Sequence, residues 1–485
     1  MRQNISNSNN QIDLTEGSTL KNLVRLSFPI ILSNFLQMFY NITDIFWLGK
    51  LGETAKDAVS VAGMVFPLIF FILSFGFGFV VAGTSLISQY KGANETDKMK
   101  LVVGQFCLIL IAFTIFFILI STLFIEDILF LLKTPESIFE KAISYFTLIL
   151  SGMPAMFIFL SFQSFSRGLG DTISPLKVQF ITIMINVVLD PIFIFGLSIF
   201  PKMGITGAGL ATLIARIVSA IFSILFIKKK IPELIPSLRH LKPKKSMLKR
   251  IIDISIPASV GQSVTSFGFL ILQGFINSYG TLIISTFSIG RRMTSFFMVP
   301  SMGISHGLAA VVGQNLGANK IKRAERSFLI ALGLTLGLMF VGTSFTFVYG
   351  SQLTKFFINK PDVIELGKGM FKLLSVAAFT FSAIFVIMGV FNGSGHTKPV
   401  MFFNITRLWL IRIPLVYILS GKLLAYSFLE KIPLLYRILE RLSLPLQNEP
   451  YNALWWSMVI SNFVILIMAL YEYSRGKWKR AKIYD

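Results

Sequence analysis

Read only for its hydrophobic and polar positions, the chain is a succession of apolar runs separated by short polar connections that carry most of the charge. The runs reach about 20 residues or more, the length at which a helix crosses the hydrocarbon core of a bilayer. A helix satisfies every backbone donor and acceptor within its own segment, which lipid demands. The pattern predicts twelve such helices, over 24–49, 58–88, 101–124, 140–163, 177–200, 205–227, 251–278, 283–313, 327–349, 367–391, 398–420 and 453–474. Several exceed a straight crossing and call for tilt or for ends that project into water. One further stretch, "LEKIPLLYRILERLSLPL" from Leu429, is too short and too charged to cross. It reads as an amphipathic helix resting in the outer interface.

The pattern also repeats. "QYKGAN" follows the second run and "QNLGAN" the eighth; "RGLGDTISP" follows the fourth and "NGSGHTKP" the tenth. Gly92 and Gly317 are 225 residues apart, and so are Gly168 and Gly393. A duplicated unit of six helices enters the membrane twice from the same side. The expected fold is therefore all-α, a polytopic membrane protein of twelve transmembrane helices in two six-helix lobes related by a pseudo-two-fold axis along the membrane normal. The lobes are expected at 1–227 and 251–485, joined by a basic linker at 228–250.

Composition agrees with that class: 54% of residues are hydrophobic and only 14% charged, unlike a soluble domain. The net charge of +22 sits in short segments between apolar runs, not on one continuous surface, which sets nucleic acid aside as a partner. Lys and Arg concentrate in alternate connections, most of all in "KKKIPELIPSLRHLKPKKSMLKR". The positive-inside rule then puts both termini in the cytoplasm of a multi-pass protein of the cell membrane. The first 20 residues are polar, so the first span is expected to direct insertion. Cys107 stands alone, and the three histidines lack zinc spacing. No P-loop is present, which excludes ATP as an energy source within this chain.

Against this background Asp44, in "FPIILSNFLQMFYNITDIFWLGKLG", and Asp190, in "QFITIMINVVLDPIFIFG", are out of place. A carboxylate at membrane depth costs roughly 2.5 to 3.5 kcal/mol on insertion scales, so it is rarely retained without a use. Gln37, Tyr40 and Asp44 share one helical face, and Gln179, Asn186 and Asp190 share another. Two carboxyls facing one dry cavity repel each other and lose solvation. Such a pair can load and release a proton, or bind Na⁺ with Asn186 as a neutral oxygen ligand; the structural alternative is a hydrogen-bond network or a salt bridge to an arginine. No further cofactor is expected beyond H⁺ or Na⁺ as coupling ion, the only metal site being Asp44, Asn186 and Asp190 if the ion is Na⁺.

Arginines occupy the other half: Arg291 and Arg292 in the eighth run, Arg407 and Arg412 in the eleventh. Arg292 and Arg412 are expected to line the second lobe and to hold carbonyls or an anionic group, whereas Arg407 is expected to snorkel to the cytoplasmic interface. Gly76, Gly78 and Gly83 are expected to permit close helix packing. Asp171 is expected to be a turn residue. Glu126, Asp127 and Glu136 are too scattered for an enzyme site at an interface.

The segments "LSFPIILSNFLQMFYNITDIFWLGKLG", "RGLGDTISPLK", "INVVLDPIFIFG", "GQNLGANK", "FNGSGHTKP" and "RLWLIRIPL" together resemble the MATE (multidrug and toxic compound extrusion) transporters, in particular their DinF-type prokaryotic branch. The resemblance implies a monomeric, non-enzymatic secondary antiporter that exports amphipathic, often cationic, organic compounds in exchange for H⁺ or Na⁺. It also implies a cation site at Asp44, Asn186 and Asp190, with a threonine of the sixth helix, here Thr212, and an amino-terminal substrate cavity at Gln37 and Tyr40, with Gln163 and Gln179 expected to line it too. Another MATE branch carries acids in its seventh and tenth helices, where this chain has "SVGQSVTSFGFLILQ" and "AAFTFSAIFVIMGVFN" with none. The alternative function is a lipid-linked oligosaccharide flippase of the same wider superfamily.

Overall fold

Every apolar run forms a helix long enough to span a bilayer, twelve among the described residues. The computed structural model describes residues 11–131, 134–197, 199–425, 433–481 and 483. In chain order the elements are α1 (Thr19–Gly49), α2 (Ala55–Gly92), α3 (Thr96–Leu123), the short α4 (Ile125–Leu131), α5 (Glu136–Ser151), α6 (Met153–Gly168), α7 (Ile173–Phe195) and α8 (Ile205–Lys230). They continue with α9 (Lys245–Asn277), α10 (Gly280–Gly317), α11 (Ile321–Phe357), α12 (Pro361–Ser394), α13 (Thr397–Ile405), α14 (Ile413–Leu419), α15 (Pro433–Ser443) and α16 (Asn452–Ser474). The α5–α6 pair makes a single span broken around Gly152, where Pro154 opens the second part. The α13–α14 pair makes another, joined by a π-helical segment, Thr406–Arg412. Most helices run several residues past the apolar window because polar residues at their ends continue the backbone ladder. In the amphipathic stretch after α14, α15 is helical; residues 429–432 lie outside the described residues.

The repeat is visible in the backbone. Asn94 and Asn319, 225 residues apart, both take a left-handed φ of 58°, a conformation that Asn tolerates better than most side chains. Gly170 and Gly395, at the same offset, take φ of 85° and 81°. Side chains repeat the relation across the two halves. Gln89 donates to the carbonyl of Gly393 at 3.0 Å, and its counterpart Gln314 donates to the carbonyl of Gly168 at 2.8 Å. The amide oxygen of Gln314 accepts from Leu14 N and that of Gln89 from Ile483 N, each at 3.2 Å. Both chain ends are thus docked onto the same cross-linked face.

One hydrophobic core joins the halves at this face, built from Leu23, Leu86, Tyr90, Leu308, Val311, Ile387, Trp478 and their neighbours. Two separate cores occupy the opposite face: one around Val61, Phe146 and Ile194, the other around Phe275, Phe371 and Trp455. Small residues let backbones meet between the halves. A Cβ on Gly78 would stand 2.3 Å from the carbonyl oxygen of Ser255, and one on Gly303 would stand 2.4 Å from Ile31. Gly76 and Gly83 pack within the first half, against Leu160 and Ser164. The expectation of close helix packing therefore holds for all three glycines of α2.

The basic segment between α8 and α9 is ordered and packed: Leu234 and His240 are buried. Gln105 of α3 holds it by donating to the carbonyls of His240 at 2.8 Å and Lys242 at 3.0 Å. Asp171 caps the start of α7, accepting from the backbone of Ile173 and Ser174 and from the Ser174 hydroxyl at 2.6 Å. Replacing it with alanine removes these bonds at a buried helix start and should lower stability by about 1–2 kcal/mol. A fall in the thermal unfolding midpoint of purified Asp171→Ala, with Asp171→Asn intermediate, checks this.

Candidate functional site

Helices α1 and α7 run side by side in the same direction, so residues one helical face apart on each meet in register. Near one end Gln179 donates to the Ser33 carbonyl at 3.1 Å and to Gln37 Oε1 at 3.3 Å. Eleven residues further along each helix stand Asp44 and Asp190, whose carboxyl groups are within hydrogen-bond reach of each other. The 3.6-residue period returns position 11 to the starting face, which is why the same face carries both contacts.

Asn186, one turn before Asp190, stands between the two acids. Its amide nitrogen is 3.3 Å from Asp190 Oδ1 in one orientation. With the amide turned it donates to Asp44 Oδ1 and Asp190 Oδ2, each at 3.2 Å. The turned orientation suits two ionised carboxylates; presenting the oxygen instead suits a proton or a cation held there, since an amide oxygen can only accept. Asn186 and Asp190 are each 1% exposed. The Tyr40 hydroxyl contacts Asp44 and lies 3.5 Å from Thr212 Oγ1. Thr212 therefore joins the group through Tyr40. Pro191 has no N–H to offer the carbonyl four residues back, leaving that oxygen of α7 without its helical donor.

Neither acid forms an ion pair among the described residues. Arg216 of α8 is within electrostatic reach of Asp44, yet its guanidinium donates to the Ile149 carbonyl at 3.0 Å. The salt-bridge alternative is not what forms here. Asp190 is buried and Asp44 half-buried, and like charges brought this close disfavour each other's ionisation. Among the described residues no group of three or more His, Cys, Asp or Glu side chains gathers elsewhere as a metal cluster.

Gln37 and Gln179 are thus bonded to each other near one end of the helix pair and Tyr40 belongs to the group around the acids; no hydrogen bond joins the two sets among the described residues. Gln163 is buried on α6 and, among the described residues, shares no hydrogen bond with either set. Arg292 is exposed on α10. Arg412 is buried and donates to Ser461 Oγ at 3.0 Å and Asn462 Oδ1 at 2.8 Å, side chains of α16. The expectation for Arg407 is corrected. It is 4% exposed and its guanidinium carbon stands over the Phe381 ring, 3.9 Å from the centroid, inside the bundle instead of reaching for water. The sequence hid this because the π-helical segment adds a residue to a turn and rotates the face on which Arg407 lies. Tyr145 of α5, half-buried and within electrostatic reach of both acids, gives no signal in the sequence, because an aromatic in an apolar run is ordinary.

Comparisons with known proteins agree with this architecture. The MatE family model matches residues 29–192 and 257–418. The "Probable multidrug resistance protein YpnP" of Bacillus subtilis is 29% identical over 84% of this chain and 90% of its own length. The "Multidrug export protein MepA" of Staphylococcus haemolyticus is 23% identical over 84% of this chain and 88% of its own. A solved structure described as the outward-facing conformation of a multidrug resistance MATE family transporter of the MOP superfamily superposes with a TM-score of 0.80. It is 22% identical and covers 96% of this chain and 97% of that one.

Proposed function

The chain belongs to the MatE family of membrane transporters, and on that premise we propose that it is a secondary antiporter exporting amphipathic, often cationic, organic compounds in exchange for H⁺ or Na⁺. One observation carries the reading: two carboxyls from different helices meet at a buried amide, and neither forms an ion pair among the described residues. A proton or a sodium ion bound between Asp44 and Asp190 removes their repulsion and draws α1 onto α7. Its release leaves two like charges that favour separation of the same helices. An ion that binds the two arrangements with different affinity shifts their balance, and a substrate that also distinguishes them is thereby coupled to it. Asn186 serves either state by turning its amide, and Tyr40 follows Asp44.

The arrangement of cores supports the accompanying motion. With one core shared at the face that carries both chain ends and a separate core for each half at the other, the halves can part at the second face with both of its cores intact, whereas parting at the first divides the shared core. Rocking of two rigid lobes about a central site is the expected movement. With both termini in the cytoplasm, the cross-linked face closes the inner side. The flippase alternative has one observation in its favour, the buried guanidinium groups of Arg407 and Arg412 in the second half.

The test is efflux of a fluorescent organic cation from energised cells or inverted vesicles, with the proton and sodium gradients collapsed separately. Collapse of one gradient should stop efflux and so name the ion. Efflux that survives collapse of both would remove the antiport reading.

A further inference from the structure

Arg407 has no use in the site just described. Its guanidinium makes no hydrogen bond and no ion pair among the described residues, and its Nε is fully enclosed without a partner. Its one defined contact is the face of Phe381, which itself packs against Phe385 with ring centroids 4.7 Å apart. A guanidinium held over a ring face uses none of its N–H donors in that contact, so they are left to take an acceptor. Arg412, five residues on, is satisfied by neutral groups alone, Ser461 and Asn462. Asn462 is in turn fixed by donating to the Ala377 carbonyl at 2.8 Å.

Two cations are therefore held inside this half with no carboxylate to balance them. The surrounding helices offer none at that depth: the acids of α12 are Asp362 and Glu365 in its first turns, that of α16 is Glu472 near its end, and α13, the π segment and α14 have none. Burying an unpaired guanidinium is far more costly than burying a neutral side chain, so an occupant that supplies the missing acceptor is strongly favoured. The π-helical segment that carries Arg407 is itself a feature frequent at functional positions.

We propose that Arg407 is the anion-recognising group of a binding site in the carboxy-terminal half, which takes the carboxylate or phosphate of an amphiphile and seats its apolar body against Phe381 and Phe385. The guanidinium offers two parallel N–H donors to one oxyanion, and Arg412 adds positive potential from behind. The inference concerns binding and does not rest on the antiport reading. The oxyanion has two sources, a dissolved aromatic acid or an anionic lipid of the bilayer.

The full-length protein in nanodiscs of phosphatidylcholine should bind 1-naphthoate at least tenfold more tightly than its uncharged amide, 1-naphthamide. Arg407→Gln should erase the difference, and Arg407→Lys, a point charge without the paired donors, should keep part of it. Asp44→Asn should keep all of it, which separates this site from the coupling acids. If nanodiscs containing phosphatidylglycerol abolish naphthoate binding to the wild type, and that lipid co-purifies with wild type but not with Arg407→Gln, the oxyanion is the lipid's. If naphthoate binding is unchanged there, it is the solute's. Equal binding of acid and amide by the wild type in phosphatidylcholine, or an undiminished preference in a folded Arg407→Gln protein, would overturn the proposal.

Discussion

Asp44→Asn and Asp190→Asn should each bring gradient-driven efflux down by roughly 5- to 150-fold, the span of typical coupling free energies. Each substitution fixes one member of the pair in a form that cannot lose a proton or attract a cation. The remaining acid then faces a neutral amide in both arrangements of α1 and α7, and the ion no longer distinguishes them. Stability should move the other way or not at all. Removing one of two closely placed, mutually repelling carboxyls relieves a penalty, and neither acid forms an ion pair among the described residues whose partner would be left stranded. The measurement is initial efflux rate alongside the thermal unfolding midpoint of the purified variants. Transport at the wild-type rate in both variants would make the aspartates structural and advance the flippase reading.

The second large effect is expected at the face that joins the halves. A Cβ on Gly317 would lie 1.9 Å from the Gln89 carbonyl oxygen, and one on Gly92 would lie 1.9 Å from that of Gln314. Neither backbone can yield without parting α2 from α10, so Gly317→Ala should loosen the Gln89 and Gln314 bonds to Gly393 and Gly168. Overpacking of this kind costs about 1–3 kcal/mol, enough to shift the balance of open and closed forms roughly 5- to 150-fold. Hydrogen exchange over residues 85–95 and 310–320 should accelerate, and transport should fall because the closed form of this face is needed in every cycle. Gly333→Ala is the matched control, since nothing lies within 4 Å of its added carbon. If Gly317→Ala exchanges and transports like the control, the contact is not a lock.

The docking of both chain ends on Gln314 and Gln89 could not be read from the sequence, since neither bond involves residues fewer than 300 positions apart. Arg412 and its partners on α16 are likewise about 50 positions apart. Ser33 takes part in the network only through its backbone carbonyl, which every residue possesses. Arg407 misled for a different reason. A snorkelling arginine and a buried one look alike in an apolar run, and only the local change of helical pitch turned this one inward.

By itself the sequence determined the twelve helices, the 225-residue repeat and the helical faces that carry Asp44 and Asp190, since each depends on spacing along one helix or on the length a bilayer imposes. The tertiary structure decided which faces meet: that Asn186 sits between the acids, that Arg216 turns to a carbonyl instead of pairing with them, and that one core closes a single face. Those outcomes depend on where separate helices cross, and the small residues that set the crossings act through contacts the chain makes only once it is packed.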